Sequence, residues 1–233
     1  MSTLISFTID GVTCMAEKDS YIIDAARHND IYIPSLCNIQ GVAPKGACRM
    51  CSIKANGKLM TSCTTKISNG MEIETHTPEL LHLRKSIIEM LFVEGNHFCP
   101  ACEKSGDCEL QALAYRYTMT VPRYPYQYPK RDIDSFHPLI IKDHNRCILC
   151  KRCVRVIKDK NGKSIFAFKD RGYNTKIYVD PDLAENLTEE LAQKAVDICP
   201  VGAIIKRDNG FKTPIGQHKY DLQPIGSEID NHP

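Results

Sequence analysis

The chain has 233 residues and 12 cysteines, about one residue in twenty. Its 42% hydrophobic and 25% charged content, with a formal net charge of +2, suits a folded globular chain and excludes wholesale disorder. No run approaches 18 apolar residues, so no membrane-spanning helix is expected, and the start MSTLISFTID lacks the basic-then-apolar pattern of a signal peptide. The expected location is the cytoplasm. Thiols stay reduced there, so twelve cysteines read as metal ligands before disulfides.

Residues 4–9 alternate apolar and polar side chains, the pattern of a half-buried strand, and Gly11 marks a turn. Ser20 is the expected cap of a helix running to about Asn29, with Ile22, Ile23, Ala25, Ala26 and Ile31 facing inward. Asn56-Gly57 between SIKA and KLMTSC predicts a hairpin, and MEIET from Met71 a further short strand. One helix on a small mixed sheet is therefore expected. From Glu79 to Phe92 the period turns helical, with Leu80, Leu83, Ile87, Ile88 and Leu91 at spacings of three and four. A second helix is expected from near Asp107, carrying Leu110, Leu113 and Ala114.

The stretch VPRYPYQYPK, residues 121–130, holds three prolines and three tyrosines and reads as an extended connector. Beyond it, PLIIK, IFAFK, KIYVD and AIIK predict strands. A cysteine-bearing helix follows the first of them, and a capping box of Asn186 with Glu189 opens a helix ending at Ile198. The expected organisation is α+β: a first domain at 1–78, a small helical domain at 79–120, a connector at 121–137, a ferredoxin-like domain at 138–210 and a C-terminal tail at 211–233.

Eleven of the cysteines fall into three groups, and Cys14 stands apart as a small buried apolar residue. Cys147, Cys150 and Cys153, each two residues apart, can surround one face of a cubane while the distant Cys199-Pro200 supplies the fourth corner. In two-cluster ferredoxins a fourth cysteine continues such a run. Here Ile157 occupies that position, so the segment holds one 4Fe–4S cluster. Cys37, Cys48, Cys51 and Cys63 offer four thiolates in a β-rich segment, which favours a 2Fe–2S cluster; a zinc ribbon is the alternative. The ten residues between Cys37 and Cys48 include Gly41 and Gly46, which let the backbone come close to a cluster. Cys99, Cys102 and Cys108 need a fourth ligand, and His97 is the nearest candidate. His76, His82, His137 and His144 read as surface or core residues.

In this order the three groups resemble the N-terminal iron–sulfur region of the large iron–sulfur subunit of respiratory complex I, which also occurs in iron-only hydrogenases and some formate dehydrogenases. EGNHFCPACEKSGDCELQALAYRYT, VPRYPYQYPKRDID and NRCILCKRCVR look most like the small diaphorase subunit of soluble NAD-reducing nickel–iron hydrogenases, over roughly residues 3 to 220. The resemblance implies a β-grasp, ferredoxin-like 2Fe–2S domain with ligands Cys37, Cys48, Cys51 and Cys63. It implies a histidine-ligated 4Fe–4S cluster on Cys99, Cys102 and Cys108, and a last 4Fe–4S cluster on Cys147, Cys150, Cys153 and Cys199. Complex I-like members carry the histidine four residues before the first cysteine. That position here is Gly95, and a two-residue deletion would bring His97 into the role.

The implied function is an electron relay with no substrate-converting site of its own, serving hydrogen oxidation and NAD reduction. Its implied partners are a flavin- and NAD-binding diaphorase subunit and the hydrogenase small and large subunits. The alternatives are the same relay in a formate dehydrogenase or NADH dehydrogenase and, from another class, a zinc-stabilised interaction or nucleic-acid module. No GxGxxG or P-loop lysine motif appears, so flavin and substrate are expected elsewhere. Residues 142–163 carry eight Lys/Arg against two Asp, expected to offset cluster charge and to form a solvated helix face rather than bind nucleic acid. With oxidised clusters, the two all-cysteine sites carry −2 each and the histidine-ligated site −1. The formal +2 then becomes −3.

Overall fold

The computed structural model describes residues 3–208 and 210–230; the last three residues of the expected tail, 231–233, lie outside the described residues. The chain forms two compact units. One comprises Met1–Ile88, Leu113–Thr120 and Gln223–Pro233; the other comprises Glu89–Ala112 and Val121–Leu222.

In the first unit, β1 (Leu4–Ile9) and β2 (Val12–Glu17) form an antiparallel hairpin that pairs Phe7 with Cys14. Ile5, Phe7 and Ile9 point inward, as the alternation requires, and Cys14 is buried beside them. Helix α1 (Ile22–His28) buries Ile22, Ile23, Ala25 and Ala26. Its N-cap is Tyr21 rather than Ser20, whose hydroxyl instead donates to the Glu17 carbonyl at 2.7 Å. Strands β3 (Ser52–Ala55) and β4 (Lys58–Thr61) turn at Asn56 and Gly57, both with positive φ, as a tight two-residue hairpin needs.

With β5 (Glu72–Glu74) these strands make one sheet in the order β2-β1-β5-β3-β4, parallel only between β1 and β5. Ile9, Ile22, Ile53 and Ile73 share one core. Helix α2 (Pro78–Glu94) starts with proline in its first turn, and the Thr77 hydroxyl accepts from the Leu80 N–H. It buries Leu80, Arg84, Ile87 and Ile88. Helix α3 spans Glu109–Arg116 and buries Leu110, Leu113 and Ala114.

The second unit holds β6 (Ile133–Asp134) and β7 (Ile140–Asp143), then α4 (Arg152–Val156), β8 (Phe166–Lys169) and β9 (Lys176–Val179). Helix α5 (Glu189–Ile198) and β10 (Ile204–Lys206) follow. The strands form antiparallel sheets β10-β7-β6 and β8-β9. Two local expectations shift. Thr188, not Asn186, caps α5 by accepting from the Leu191 N–H, while Asn186 ends a preceding 3-10 helix. Helix α4 begins only at Arg152, so Cys147 and Cys150 lie in the loop before it, where Leu149 and Lys151 adopt left-handed φ of 51° and 65°.

Residues 121–130 contain no helix or strand. The segment beyond 211 is more than a tail. It carries α6 (Lys219–Leu222), and in the first unit Asp230 accepts from the Tyr32 N–H at 2.8 Å and pairs with Arg116. Among the described residues no helix is long and apolar enough to cross a membrane.

Candidate functional site

Cys37 follows α1, Cys48 and Cys51 lie in the loop entering β3, and Cys63 follows β4. Cys37, Cys51 and Cys63 are buried and Cys48 is partly covered. Cys37 lies within hydrogen-bonding reach of Cys48 and Cys63, and Cys51 within reach of Cys63. Hydrogen bonds from Cys48 and Cys63 push the Cys37 thiol down, and those from Cys63 bring Cys51 to about 7; Cys48 and Cys63 are pushed up in return. The Leu36 N–H points at Cys48 Sγ at 3.4 Å.

Arg84 holds the loop from beneath, an arrangement the sequence reading did not single out. Its guanidinium is fully buried and donates to the carbonyls of Met50 (3.3 Å), Ser52 (2.9 Å) and Thr75 (2.8 Å), the first two flanking Cys51. The available signal was an arginine at 84, spaced four from Leu80 and three from Ile87 on the apolar face of α2.

The second unit brings His97, Cys99, Cys102 and Cys108 around one cavity, with Arg146 and Gly202 on its wall. Cys99 opens a 3-10 turn, and Cys108 immediately precedes α3, where the Gln111 N–H points at its sulfur at 3.5 Å. The His97 imidazole packs against Phe92 in a tilted arrangement, with centroids 5.3 Å apart and an interplanar angle of 53°. Its Nε2 is buried with no hydrogen-bond partner among the described residues. Burial, aided by the charge of Arg146, pushes its pKa down to about 4, so the ring is neutral and its free nitrogen is of the kind a metal takes. A Cβ on Gly95 would lie 2.4 Å from His97 Nε2. The His97 ring thus fills the space that a side chain at position 95 would enter.

Cys147, Cys150, Cys153 and Cys199 line a second cavity together with Lys142, Arg152 and the apolar Ile177, Val201 and Ile204. Burial pushes up the thiols of Cys99, Cys108, Cys150 and Cys153, those of Cys108 and Cys153 to about 12. Metal binding must therefore displace protons here. Lys142 is wholly buried. Desolvation lowers its pKa, but the neighbouring sulfurs of Cys147, Cys199 and Cys153 outweigh this and leave it raised.

These two cavities adjoin. The Glu109 N–H, next to Cys108, donates at 2.9 Å to the carbonyl of Pro200, next to Cys199. Arg152, next to Cys153, grips Glu109 through both carboxylate oxygens at 2.5 and 2.7 Å. Arg146, next to Cys147, donates to Cys102 Sγ at 3.3 Å. Gly202 passes so close that a Cβ would lie 2.4 Å from Cys102 Sγ. Lys142, Arg146 and Arg152 thus leave the expected solvated face and turn inward.

The donor sets suit iron–sulfur clusters: soft sulfur in all three, with one unpartnered imidazole nitrogen.

Comparison with known proteins agrees with this order of sites. Residues 2–78 match the 2Fe-2S iron-sulfur cluster binding domain, residues 84–123 the NADH-ubiquinone oxidoreductase-G iron-sulfur binding region, and residues 137–205 the ferredoxin-like domain of NADH-quinone oxidoreductase subunit 3. The chain is 32% identical to the mitochondrial 78 kDa subunit of NADH-ubiquinone oxidoreductase from Candida albicans over 97% of its own length, but spans only 32% of that protein. A solved structure of an NAD+-reducing [NiFe]-hydrogenase in the H2-reduced state contains a chain that superposes with a TM-score of 0.89 at 38% identity, covering 97% of both. The gamma subunit of the NAD-reducing hydrogenase HoxS from Cupriavidus necator is 43% identical over 95% of each chain. By that measure the chain belongs to the family of the NAD-reducing hydrogenase gamma subunit.

Proposed function

We propose that this chain is the electron-transfer subunit of an NAD-reducing hydrogenase, located in the cytoplasm. Cys37, Cys48, Cys51 and Cys63 hold one 2Fe–2S cluster; His97, Cys99, Cys102 and Cys108 hold one 4Fe–4S cluster; Cys147, Cys150, Cys153 and Cys199 hold another. The ligand-bearing segments are 1–78, 79–120 and 138–210. When bound, the clusters supply one-electron redox chemistry. The chain's own part is to supply the thiolates and the imidazole, to keep water from them, and to fix the spacing between sites. Flavin, NAD and hydrogen are handled on partner subunits: a flavin- and NAD-binding diaphorase subunit on one side, the hydrogenase small and large subunits on the other.

The observation that carries the relay is the hydrogen bond from Glu109 N–H to Pro200 C=O. It joins the residue after one cluster ligand, Cys108, to the residue after another, Cys199. Two sites that served only to stabilise separate folds would have no use for so short a covalent and hydrogen-bonded route between them.

Anaerobic purification with iron, sulfide and zinc analysis tests the reading. The expected result is about ten iron atoms per chain with matching sulfide; two or three zinc atoms instead would overturn it. In His97→Ala the EPR signal of one cubane changes while the other two centres keep theirs; an intact, unchanged signal would remove His97 from the ligand set. Identification of the co-purifying subunits separates a hydrogenase from a formate or NADH dehydrogenase.

A further inference from the structure

Lys142 occupies the middle strand of the β10-β7-β6 sheet, paired through its backbone with Ile204 on one side and Asp134 on the other. It shares a sheet face with the buried Ile140, so its position is one that an apolar residue would normally fill. The side chain is only 2% exposed, and its Nζ makes no hydrogen bond of normal geometry among the described residues, only a weaker approach to the Cys147 sulfur. A buried ammonium left in this way costs several kcal/mol, which is why buried lysines are normally paired. The groups it faces are the sulfurs of Cys147, Cys199 and Cys153, anionic once their protons are displaced, around the cavity they line together. The neighbouring cations have partners of their own: Arg152, which lines the same cavity, grips Glu109, and Arg146 contacts Asp143 and Cys102. Lys142 is thus left to the third site alone.

We propose that Lys142 is a potential-setting residue: its buried ammonium stabilises the extra negative charge that the third site gains on reduction, and so raises that site's reduction potential. The inference rests on reading Cys147, Cys150, Cys153 and Cys199 as a 4Fe–4S site. At close range in a medium of low effective dielectric, one added unit charge interacts strongly with a fixed cation. Net charge beside a cluster is among the levers that set its potential. Such a cation biases the relay, since an electron leaving the histidine-ligated site meets a more accepting neighbour.

The test is an EPR-monitored redox titration of the anaerobically purified, iron-loaded protein with Lys142→Met, Lys142→Gln and Lys142→Arg. In the Met and Gln variants the one-electron reduction constant of the third site should fall at least tenfold, about 59 mV. The histidine-ligated site should stay within a small fraction of that, and Lys142→Arg should remain near wild type. If Met prevents cluster loading, Gln reads the same quantity. An unmoved potential in a fully loaded variant overturns the inference alone. So does Arg falling as far as Met, because packing rather than charge would then be responsible. A wild-type protein without a second cubane overturns the underlying reading, and the inference with it.

Discussion

Around Cys37, Cys48, Cys51 and Cys63 the surroundings are a loop backbone and a core of isoleucines, and the large buried cation there, Arg84, directs its donors to neutral carbonyls. In the second unit, three cations turn inward beside sulfur: Lys142 faces Cys147, Cys153 and Cys199, Arg146 donates to Cys102, and Arg152 clamps the glutamate next to Cys108. The difference follows from how many centres each unit is proposed to carry. A lone anionic centre can be accommodated by backbone dipoles, whereas two adjoining centres compound their charge and call for cations that water cannot screen. The first unit therefore uses its arginine to shape a loop, and the second uses its basic residues to balance charge.

The sharpest way to break this contrast is Arg84→Met. It strands the carbonyls of Met50, Ser52 and Thr75 in a buried setting, and each orphaned acceptor costs about 1–3 kcal/mol, so a loss of about 3–5 kcal/mol is expected. Urea unfolding reads the stability, and EPR should show the 2Fe–2S signal lost before those of the cubanes. If all three signals fade together, Arg84 supports the whole chain rather than its own loop. Next comes Arg152→Met, which leaves Glu109 partly buried without its partner and should cost about 3 kcal/mol. Removing Glu109 as well, as Glu109→Leu, should recover most of that. A double variant no better than the single would mean that Arg152 acts through its bond to the Ile198 carbonyl instead.

Close approach is the third test. Gly202→Ala would drive a methyl group toward Cys102 Sγ, with an expected cost of about 1–3 kcal/mol and selective loss of the histidine-ligated centre, about four irons of ten. Full iron in that variant would show that Cys102 can relocate freely. The first unit should tolerate the change.

Much of this was legible in the sequence because cysteine spacing is a local signal and strands and helices follow short periods. Ile22, Ile23, Ala25 and Ala26 are buried as the helical period demands, and Asn56-Gly57 makes its turn. What escaped depended on distance in the chain or on competition between neighbours. Strand β2 leaves Val12 exposed on the same face as the buried Cys14 and Ala16 and carries the apolar Met15 on the other, which hides its alternation. Ser20 lost the cap of α1 because its hydroxyl bonds back to Glu17, and Thr188, two residues beyond Asn186, reaches the Leu191 N–H. Lys142 and Arg146 counted only as members of a basic stretch. Their partners lie up to 57 residues away, at Cys199 and Cys102, and no period announces such contacts.

The smallest effect belongs to a charge in the first unit. Asp10, with left-handed φ at the end of β1, accepts from the Thr75 N–H at 2.7 Å, from the Thr75 hydroxyl, and from His76 Nδ1 at 3.3 Å. Burial alone would raise its pKa, but the bonds from His76 and Thr75 bring it down to about 2. A depressed folded pKa means that the stabilisation is complete above the unfolded carboxyl's value near 4 and is lost as pH falls through about 2. The site is more than a third exposed, so Asp10→Asn should cost less than about 1 kcal/mol. Between pH 5 and 8 the carboxyl is ionised in both folded and unfolded chains. The carboxyl's own ionisation therefore adds no pH dependence over that range to the difference in unfolding midpoint between wild type and Asp10→Asn. A difference that shrinks across the histidine range would move the interaction from the neutral Thr75 donors to a charged His76, and the first unit would then depend on ion pairing at this corner as the second unit does around its cysteines.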